Sequence, residues 1–177
     1  MINFAFFPTQ IGTCAIAWGE HGVLAVQLPE RDEARLRLQI TKRWRNAVEA
    51  PPSDDVNQWI VEMTALLDGE ARDLCDVHLD MTKIPEFNQR VYAVARKIPP
   101  GSTRTYGEIA TELGDPLLAR AVGQALGQNP FPIVVPCHRV LAANRMPGGF
   151  SAPGGTRTKV RMLAIEGVDV GEQLSLF

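Results

Sequence analysis

Cysteine and histidine stand side by side at Cys137 and His138, in the stretch IVVPCHRV. The chain has only three cysteines and three histidines. A free thiol is only a few per cent thiolate at neutral pH, so a nucleophilic cysteine needs a base or a positive environment. Cys137 is therefore either a buried core thiol or a nucleophile that His138 activates, and the local sequence leaves both interpretations open.

A carboxylate that orients the imidazole would complete a catalytic relay. The candidate is Glu166 in MLAIEGV, near the end of a helix predicted to begin after Gly154 and Gly155. Neighbouring residues on an extended segment point to opposite sides, so a water would bridge Cys137 and His138 if they do not touch. Arg139 comes next, and its side chain suits either a structural ion pair or a phosphate contact.

Two short predicted helices precede this stretch. In TRTYGEIATELG, Thr105 and Glu108 have capping-box spacing, and Gly114 ends the helix. LLARAVGQALG forms the second helix after a short linker. The pair is typical of a helix-turn-helix, and also of an αα-hairpin in any small helical bundle.

Small residues crowd the second helix. Gly123 in mid-helix costs about 1 kcal/mol relative to alanine, which indicates that another helix or a nucleic-acid backbone approaches closely. Arg120 lies near the helix start, where an acidic residue is preferred, and this placement indicates a functional arginine. The small side chains are Ala119, Ala121, Gly123, Ala125 and Gly127.

The N-terminal half has a different pattern. Residues 13–18 and 22–28 predict two strands joined by a tight turn, and residues 73–80 predict a third. Apolar spacing predicts helices within residues 30–45 and from Val56 to Leu67. Pro85 marks the boundary to the helical second half. We therefore predict an α/β domain over residues 1–84, a helical domain over 85–170 and a tail at 171–177.

Composition favours a soluble, globular protein. The 177 residues are 45% hydrophobic and 21% charged, and no apolar run approaches the roughly 20 residues of a membrane span. Three cysteines without close pairing favour a reducing, cytoplasmic location. Residues 1–85 hold 8 Lys and Arg against 13 Asp and Glu, whereas residues 86–177 hold 10 against 7. An anionic partner is therefore expected at the C-terminal half.

The motifs YGEIA, ARAVG, NP, PCHRV and EG occur in this order between Tyr106 and Gly167. With them the chain resembles the O6-alkylguanine-DNA alkyltransferases from about Phe87 to Gly167, and more loosely in its N-terminal half. The resemblance implies an α+β fold. In that fold a small ribonuclease-H-like α/β domain precedes an all-α, winged-helix-like domain with a helix-turn-helix.

The resemblance also implies direct-reversal DNA repair. Cys137 would take the alkyl group from O6-alkylguanine once per molecule, irreversibly, and O4-alkylthymine is a further possible substrate. His138 would act through a water as the base and Glu166 would orient it. Tyr106 would supply the proton near N3 of the base. The carbonyls of Cys137 and Val140 would accept hydrogen bonds from the exocyclic amine of the base, and Ser151 would donate a hydrogen bond to O6.

Double-stranded DNA is the implied partner. The target base must be flipped out of the duplex, and in this family the second helix enters the minor groove. Ala121 and Gly123 would let that helix approach the DNA backbone. Arg120 would fill the gap in the base stack, and Asn129 would tie the helix-turn-helix to the active-site segment.

The tail QLSLF resembles the bacterial sliding-clamp-binding pentapeptide. Gln173, Leu174, Leu176 and Phe177 would dock on the clamp, whereas in the plainer interpretation the tail packs back on the domain. No cofactor and no metal is expected, although Cys75-x-x-His78, with Cys14 and His21, is suggestive of zinc. A monomer without membrane contact is expected.

Two other functions are compatible with parts of the sequence. One is a non-catalytic module that binds alkylguanine and flags it for other repair; such relatives replace the cysteine, so Cys137 argues against it. The other is a cysteine hydrolase, for which the sequence offers no oxyanion-hole motif.

Overall fold

The computed structural model describes residues 1–148 and 152–171. Contacts between residues divide the chain into two units. The first consists of residues 1–83 with 130–134, and the second of residues 84–129 with the described residues from 135 onward. No helix among the described residues is long and apolar enough to cross a membrane.

The first unit contains a four-stranded sheet in the order β3-β2-β1-β4. The first three strands are antiparallel, and the short β4 runs parallel to β1. Phe4, Ala15, Ala17 and Ile40 form a buried cluster between sheet and helix. The elements are β1 (Asn3–Thr9), β2 (Gly12–Gly19), β3 (Gly22–Gln27), α1 (Glu33–Arg43), β4 (Val48–Glu49) and α2 (Asp54–Leu67).

Three strand assignments in this unit differ from the prediction, and one of them is the two-residue β4, which was not predicted. β1 was not predicted, because its Pro8 weakens the local strand pattern and its pairing depends on β2. The strand predicted at residues 73–80 is wrong, since only a single bridge joins Val23 to Leu79. Asp73 and Asp80 accept hydrogen bonds from backbone N–H groups two residues on, which favours turns over a ladder.

Residues 130–134 return to the first unit, which the boundary predicted after residue 84 did not include. The N–H of Val26 donates to the carbonyl of Pro130 at 2.9 Å. Ile133 is buried with φ of +76°, a conformation that β-branched residues rarely adopt. A strained backbone therefore lies four residues before Cys137.

The second unit is mainly helical, and buried Tyr92 donates from its hydroxyl to the carbonyl of Ala125 at 2.8 Å. The prediction of an all-α domain is wrong in one respect, because β5 and β6 pair in parallel. The elements are α3 (Glu86–Ala95), β5 (Arg104–Thr105), α4 (Tyr106–Glu112), a 3₁₀ turn (Pro116–Leu118), α5 (Ala119–Gly127), a second 3₁₀ turn (Cys137–Arg139), β6 (Val140–Leu141) and α6 (Gly155–Ile165).

The predicted capping box at the start of α4 is confirmed. Thr105 accepts from the N–H of Glu108 at 3.1 Å, and the Glu108 carboxylate accepts from the N–H of Thr105 at 2.6 Å. Thr105 also pairs with Leu141 across β5 and β6. The same residue therefore fixes where α4 begins and sets Tyr106 beside the segment that follows Cys137.

Candidate active site

Cys137 begins a 3₁₀ turn within a stretch that is buried from residue 130 to residue 141. The N–H of Cys137 donates to the carbonyl of Val135 at 2.8 Å, and the N–H of Val140 donates to the carbonyl of Cys137. The turn therefore holds Cys137, His138 and Arg139 in place. All three are buried, although histidine and arginine side chains are usually exposed.

Burial raises the pKa of the Cys137 thiol, which is 9% exposed. Four groups oppose that increase: the Asn129 side chain, the Lys159 ammonium, and the backbone N–H groups of Cys137 and His138. The resting group is thus a thiol, and hydrogen-bond donors and a positive charge already surround the position where a thiolate would form.

His138 and Glu166 are in direct contact. The Nε2 atom of His138 lies 2.9 Å from Oε1 of Glu166, and the two side chains are 1% and 3% exposed. Because the carboxylate accepts, Nε2 carries the hydrogen of the neutral ring and Nδ1 keeps a lone pair. Nδ1 is buried and makes no hydrogen bond to the described residues. This is the arrangement of an imidazole ready to accept a proton.

Arg139 forms a buried ion pair, which is the first of the two roles that its position in the sequence left open. Its Nη2 lies 2.7 Å from Oε1 of Glu166 and its Nε lies 2.9 Å from Oε2. Nη1 donates to the carbonyl of Ile98 at 2.7 Å. Arg139 therefore fixes the carboxylate that holds His138.

This ion pair sets the charge states of the relay. Burial alone would raise the pKa of Glu166, but the hydrogen bonds from His138 and Arg139 outweigh it and lower that pKa to about 2. Burial lowers the pKa of His138; Glu166 opposes this, and the charges of Arg139 and Lys159 add to it. The resting relay is therefore a thiol, a neutral imidazole and a carboxylate paired with a guanidinium.

Tyr106, the first residue of α4, lies within electrostatic range of Cys137. Burial raises the pKa of its phenol, and the charge on Cys137 raises it further. A Cβ added at Gly123 would lie 3.8 Å from its ring, and one added at Gly148 would lie 3.4 Å from its hydroxyl. The ring therefore lies beside α5 and beside the segment that follows β6.

Asn129 and Val140 flank the cysteine on either side. The amide of Asn129 donates to the carbonyl of Val135 at 3.0 Å and also stabilises the charged form of Cys137. The carbonyl of Val140 accepts from Nζ of Lys159 at 2.7 Å. The sequence analysis did not identify Lys159 as a site residue. A signal was present, because this lysine lies three and four residues before Met162 and Leu163, on the apolar face of its helix.

Arg120 is exposed on α5, and Ala121 and Gly123 are partly exposed. A Cβ at Gly123 would make only an ordinary contact with Tyr106, so packing within the chain does not require glycine there. Leu117, just before the helix, is 88% exposed. This helix end therefore has an arginine and small side chains available to a partner.

Some predicted residues lie outside the described part of the chain. These are Ser151 and the tail residues Gln173, Leu174, Leu176 and Phe177. Among residues 1–148 and 152–171, no group of three or more His, Cys, Asp or Glu side chains is placed to hold a metal ion.

Residues 86–168 match the family described as 6-O-methylguanine DNA methyltransferase, DNA binding domain. A methylated-DNA–protein-cysteine methyltransferase of Methanothermobacter thermautotrophicus is 33% identical over 163 residues, covering 89% of this chain and 81% of the relative. One from Mycolicibacterium paratuberculosis is 42% identical over 118 residues, covering 67% and 69% of the two chains.

Solved structures show the same similarity. The O6-methylguanine methyltransferase of Mycobacterium tuberculosis aligns with a TM-score of 0.77 at 31% identity, covering 99% of both chains. A structure of Mycobacterium tuberculosis OGT in complex with DNA aligns with a TM-score of 0.75 at 32% identity, covering 93% of this chain and 92% of that one.

Proposed function

Because the chain belongs to the family of methylated-DNA–protein-cysteine methyltransferases, we propose that Cys137 is the residue that takes the alkyl group from O6-alkylguanine in DNA. The protein is a DNA-repair enzyme that acts by direct alkyl transfer to itself. The observation that carries the assignment of Cys137 is that the next residue in the same 3₁₀ turn, His138, forms a buried pair with Glu166 at 2.9 Å.

The proposed reaction begins when the thiol proton of Cys137 passes through a water to Nδ1 of His138. The thiolate then attacks the alkyl carbon in line with the bond to O6. A carbon–sulfur bond forms, the carbon–oxygen bond breaks, and its electron pair stays on the guanine. The proton that His138 took from the thiol balances the charge when it reaches the displaced guanine, with Tyr106 as the donor near N3. The thioether is not reversed. Each molecule therefore acts once.

The base would be held by groups around the 3₁₀ turn. The carbonyls of Cys137 and Val140 accept from the exocyclic amine, Ser151 donates to O6, and Tyr106 donates near N3. The phenol suits this donor role, because burial and the charge on Cys137 raise its pKa and keep it protonated. O4-alkylthymine would offer the same alkyl–oxygen bond.

Duplex DNA would bind through α5, which enters the minor groove while the target base is flipped out. Ala121 and Gly123 allow the helix to approach the backbone closely, Arg120 fills the gap in the stack, and Asn129 joins this helix to the cysteine segment. This proposal is supported by the exposure of Arg120 and by the freedom of Gly123 from packing demands within the chain.

The finer architecture and setting are also proposals. The first unit, residues 1–83 with 130–134, would be the ribonuclease-H-like domain, and the second unit would be the winged-helix-like domain. A reduced Cys137 is required for the reaction, which favours the cytoplasm as the site of action. The protein would act as a monomer without metal or cofactor.

Residues 171–177 would carry the clamp-binding peptide, with Gln173, Leu174, Leu176 and Phe177 as its contacts. The test is a fluorescence titration of the full chain with a bacterial sliding clamp, next to a variant that lacks the last five residues. Binding that disappears with those residues supports the proposal. Equal binding by both chains, or none by the full chain, rejects it.

A non-catalytic lesion-binding module is the alternative function. It is disfavoured because the thiol and its relay are both in place. Incubation with duplex DNA containing O6-methylguanine, followed by intact-mass analysis, separates the two functions. We expect one added methyl group per molecule, located on Cys137.

Cys137→Ser should bind the DNA and leave the lesion intact, whereas Cys75→Ser, which changes an exposed thiol, should behave like the parent protein. If Cys137→Ser still removes the methyl group, the proposed mechanism is wrong.

A further inference from the structure

Lys159 is buried in the second unit, with 1% of its surface exposed. It lies on α6 three and four residues before the buried Met162 and Leu163, where an apolar side chain is expected. A buried ammonium group is costly unless a nearby charge or hydrogen bond compensates it. Its position therefore calls for an explanation other than packing.

Two contacts place the ammonium group at the candidate active site. Nζ donates to the carbonyl of Val140 at 2.7 Å, and it lies 5.8 Å from the centroid of the Tyr106 ring, within range of a cation–π interaction. Val140 closes the 3₁₀ turn by donating its N–H to the carbonyl of Cys137. Lys159 therefore holds the end of the turn that carries the cysteine.

The charges around Lys159 are arranged in two sets. Glu166 and Arg139 pair with each other through several hydrogen bonds, and His138 contacts the same carboxylate. Lys159 instead interacts with Cys137: its charge lowers the pKa of that thiol, and a charge on Cys137 raises the pKa of Lys159. Burial acts in the opposite direction on both groups.

We propose that Lys159 is a positioning residue for alkyl transfer, whose ammonium group compensates the thiolate of Cys137 and fixes the Val140 carbonyl. The proposal rests on the proposed function for the identity of the reaction. Lys159 keeps its own proton, because the thiol proton goes to His138. When the neutral thioether forms, the anion that Lys159 compensates is removed.

The test measures the reactivity of the Cys137 thiol in the absence of DNA. In a Cys75→Ser background, the rate at which iodoacetamide modifies Cys137 is followed against pH by peptide mass spectrometry. The parent, Lys159→Met, Lys159→Arg and the control Arg157→Met, which removes an exposed charge from the same helix, are compared. Thermal unfolding of each chain verifies that it is folded.

Lys159→Met should shift the modification profile to higher pH by about one unit, which is a tenfold slower reaction near neutral pH. Lys159→Arg keeps the charge and should shift it less, and Arg157→Met should not shift it. A folded Lys159→Met with the parent profile overturns the proposal. Methyl transfer from O6-methylguanine DNA, measured in parallel, tests the proposed function separately.

Discussion

At the scale of single residues, the Glu166 carboxylate serves two partners at once. It accepts from His138 and from Arg139, and all three side chains are almost fully buried. The guanidinium neutralises the carboxylate, so the imidazole is oriented without being forced into its charged form. The role proposed for His138, to accept a proton from Cys137, requires an imidazole that is neutral beforehand.

Arg139→Met should destabilise the protein by about 3–5 kcal/mol, because it leaves a buried carboxylate without its cation. Urea unfolding provides the measurement. Arg139→Met combined with Glu166→Gln should recover part of the loss. The control, Arg145→Met, removes an exposed partner of Glu108 and should cost less than about 1 kcal/mol. A similar cost for both single variants would contradict the role of the buried pair.

The pKa values of Glu166 and His138 also predict how the free energy of unfolding changes at acid pH. The folded pKa of Glu166 is about 2 against an ordinary 4.5, and that of His138 lies below its ordinary 6.5. In each case the unfolded chain binds the proton first, so stability is present at higher pH and is lost as the pH falls. The free energy of unfolding should therefore decrease below about pH 6.5 and more steeply below 4.5.

Glu166→Gln should flatten the part of this curve below pH 4.5, as urea unfolding at a series of pH values would show. If the free energy of unfolding of the variant falls as steeply below pH 4.5 as that of the parent, other carboxylates cause the loss of stability in acid.

At the scale of elements, short local devices decide where the reactive groups lie. The capping box starts α4 at Tyr106, and the β5–β6 pair places that start next to the segment after Cys137. Thr105→Ala should cost about 1 kcal/mol, because it removes the cap of the helix. The control, Thr111→Ala, changes an exposed hydroxyl on the same helix and should cost less. Thermal unfolding compares the two.

The positive φ of Ile133 leads to a second prediction at the scale of elements. Ile133→Gly removes a buried side chain but relieves a strained conformation that costs about 1–3 kcal/mol. Val134→Gly, the matched control, removes a buried side chain without that relief. Ile133→Gly should therefore be the less destabilising of the two in urea unfolding, although its side chain is larger. The reverse order would show that the strain is negligible.

At the scale of the whole molecule, charge is distributed unevenly along the chain. Residues 1–85 carry a net charge of −5 and residues 86–177 carry +3. The excess of positive charge lies in the half that matches the DNA-binding family domain. DNA affinity should therefore come mainly from the second half and should fall as salt is added.

If Arg120 fills the gap in the base stack as proposed, Arg120→Ala should slow methyl transfer from duplex DNA by roughly 10- to 100-fold, because unstacking the target base costs a few kcal/mol. Transfer from a single-stranded oligonucleotide should change little. Lys97→Ala, which changes a lysine whose side chain is 71% exposed, is the control. Single-turnover kinetics on both substrates provide the measurement, and an equal loss on both would contradict the stacking role.

The sequence by itself determined the features that depend on neighbouring residues. The capping box of Thr105 and Glu108, the helix from Val56 to Leu67 and the Cys137–His138 pair follow from spacings of a few residues. Their physics is local: a cap, a periodic apolar face or an adjacent base is complete within one or two helical turns.

Only the tertiary structure decided the contacts between distant residues. Arg139 and Glu166 are 27 residues apart, and their ion pair assigned to Arg139 a role that sequence left between two alternatives. The sequence also did not predict the interaction of Lys159 with Cys137, the pairing of β1 with β2 or the pairing of β5 with β6. Electrostatic interactions and strand pairing depend on distance and burial in space, which local spacing does not specify.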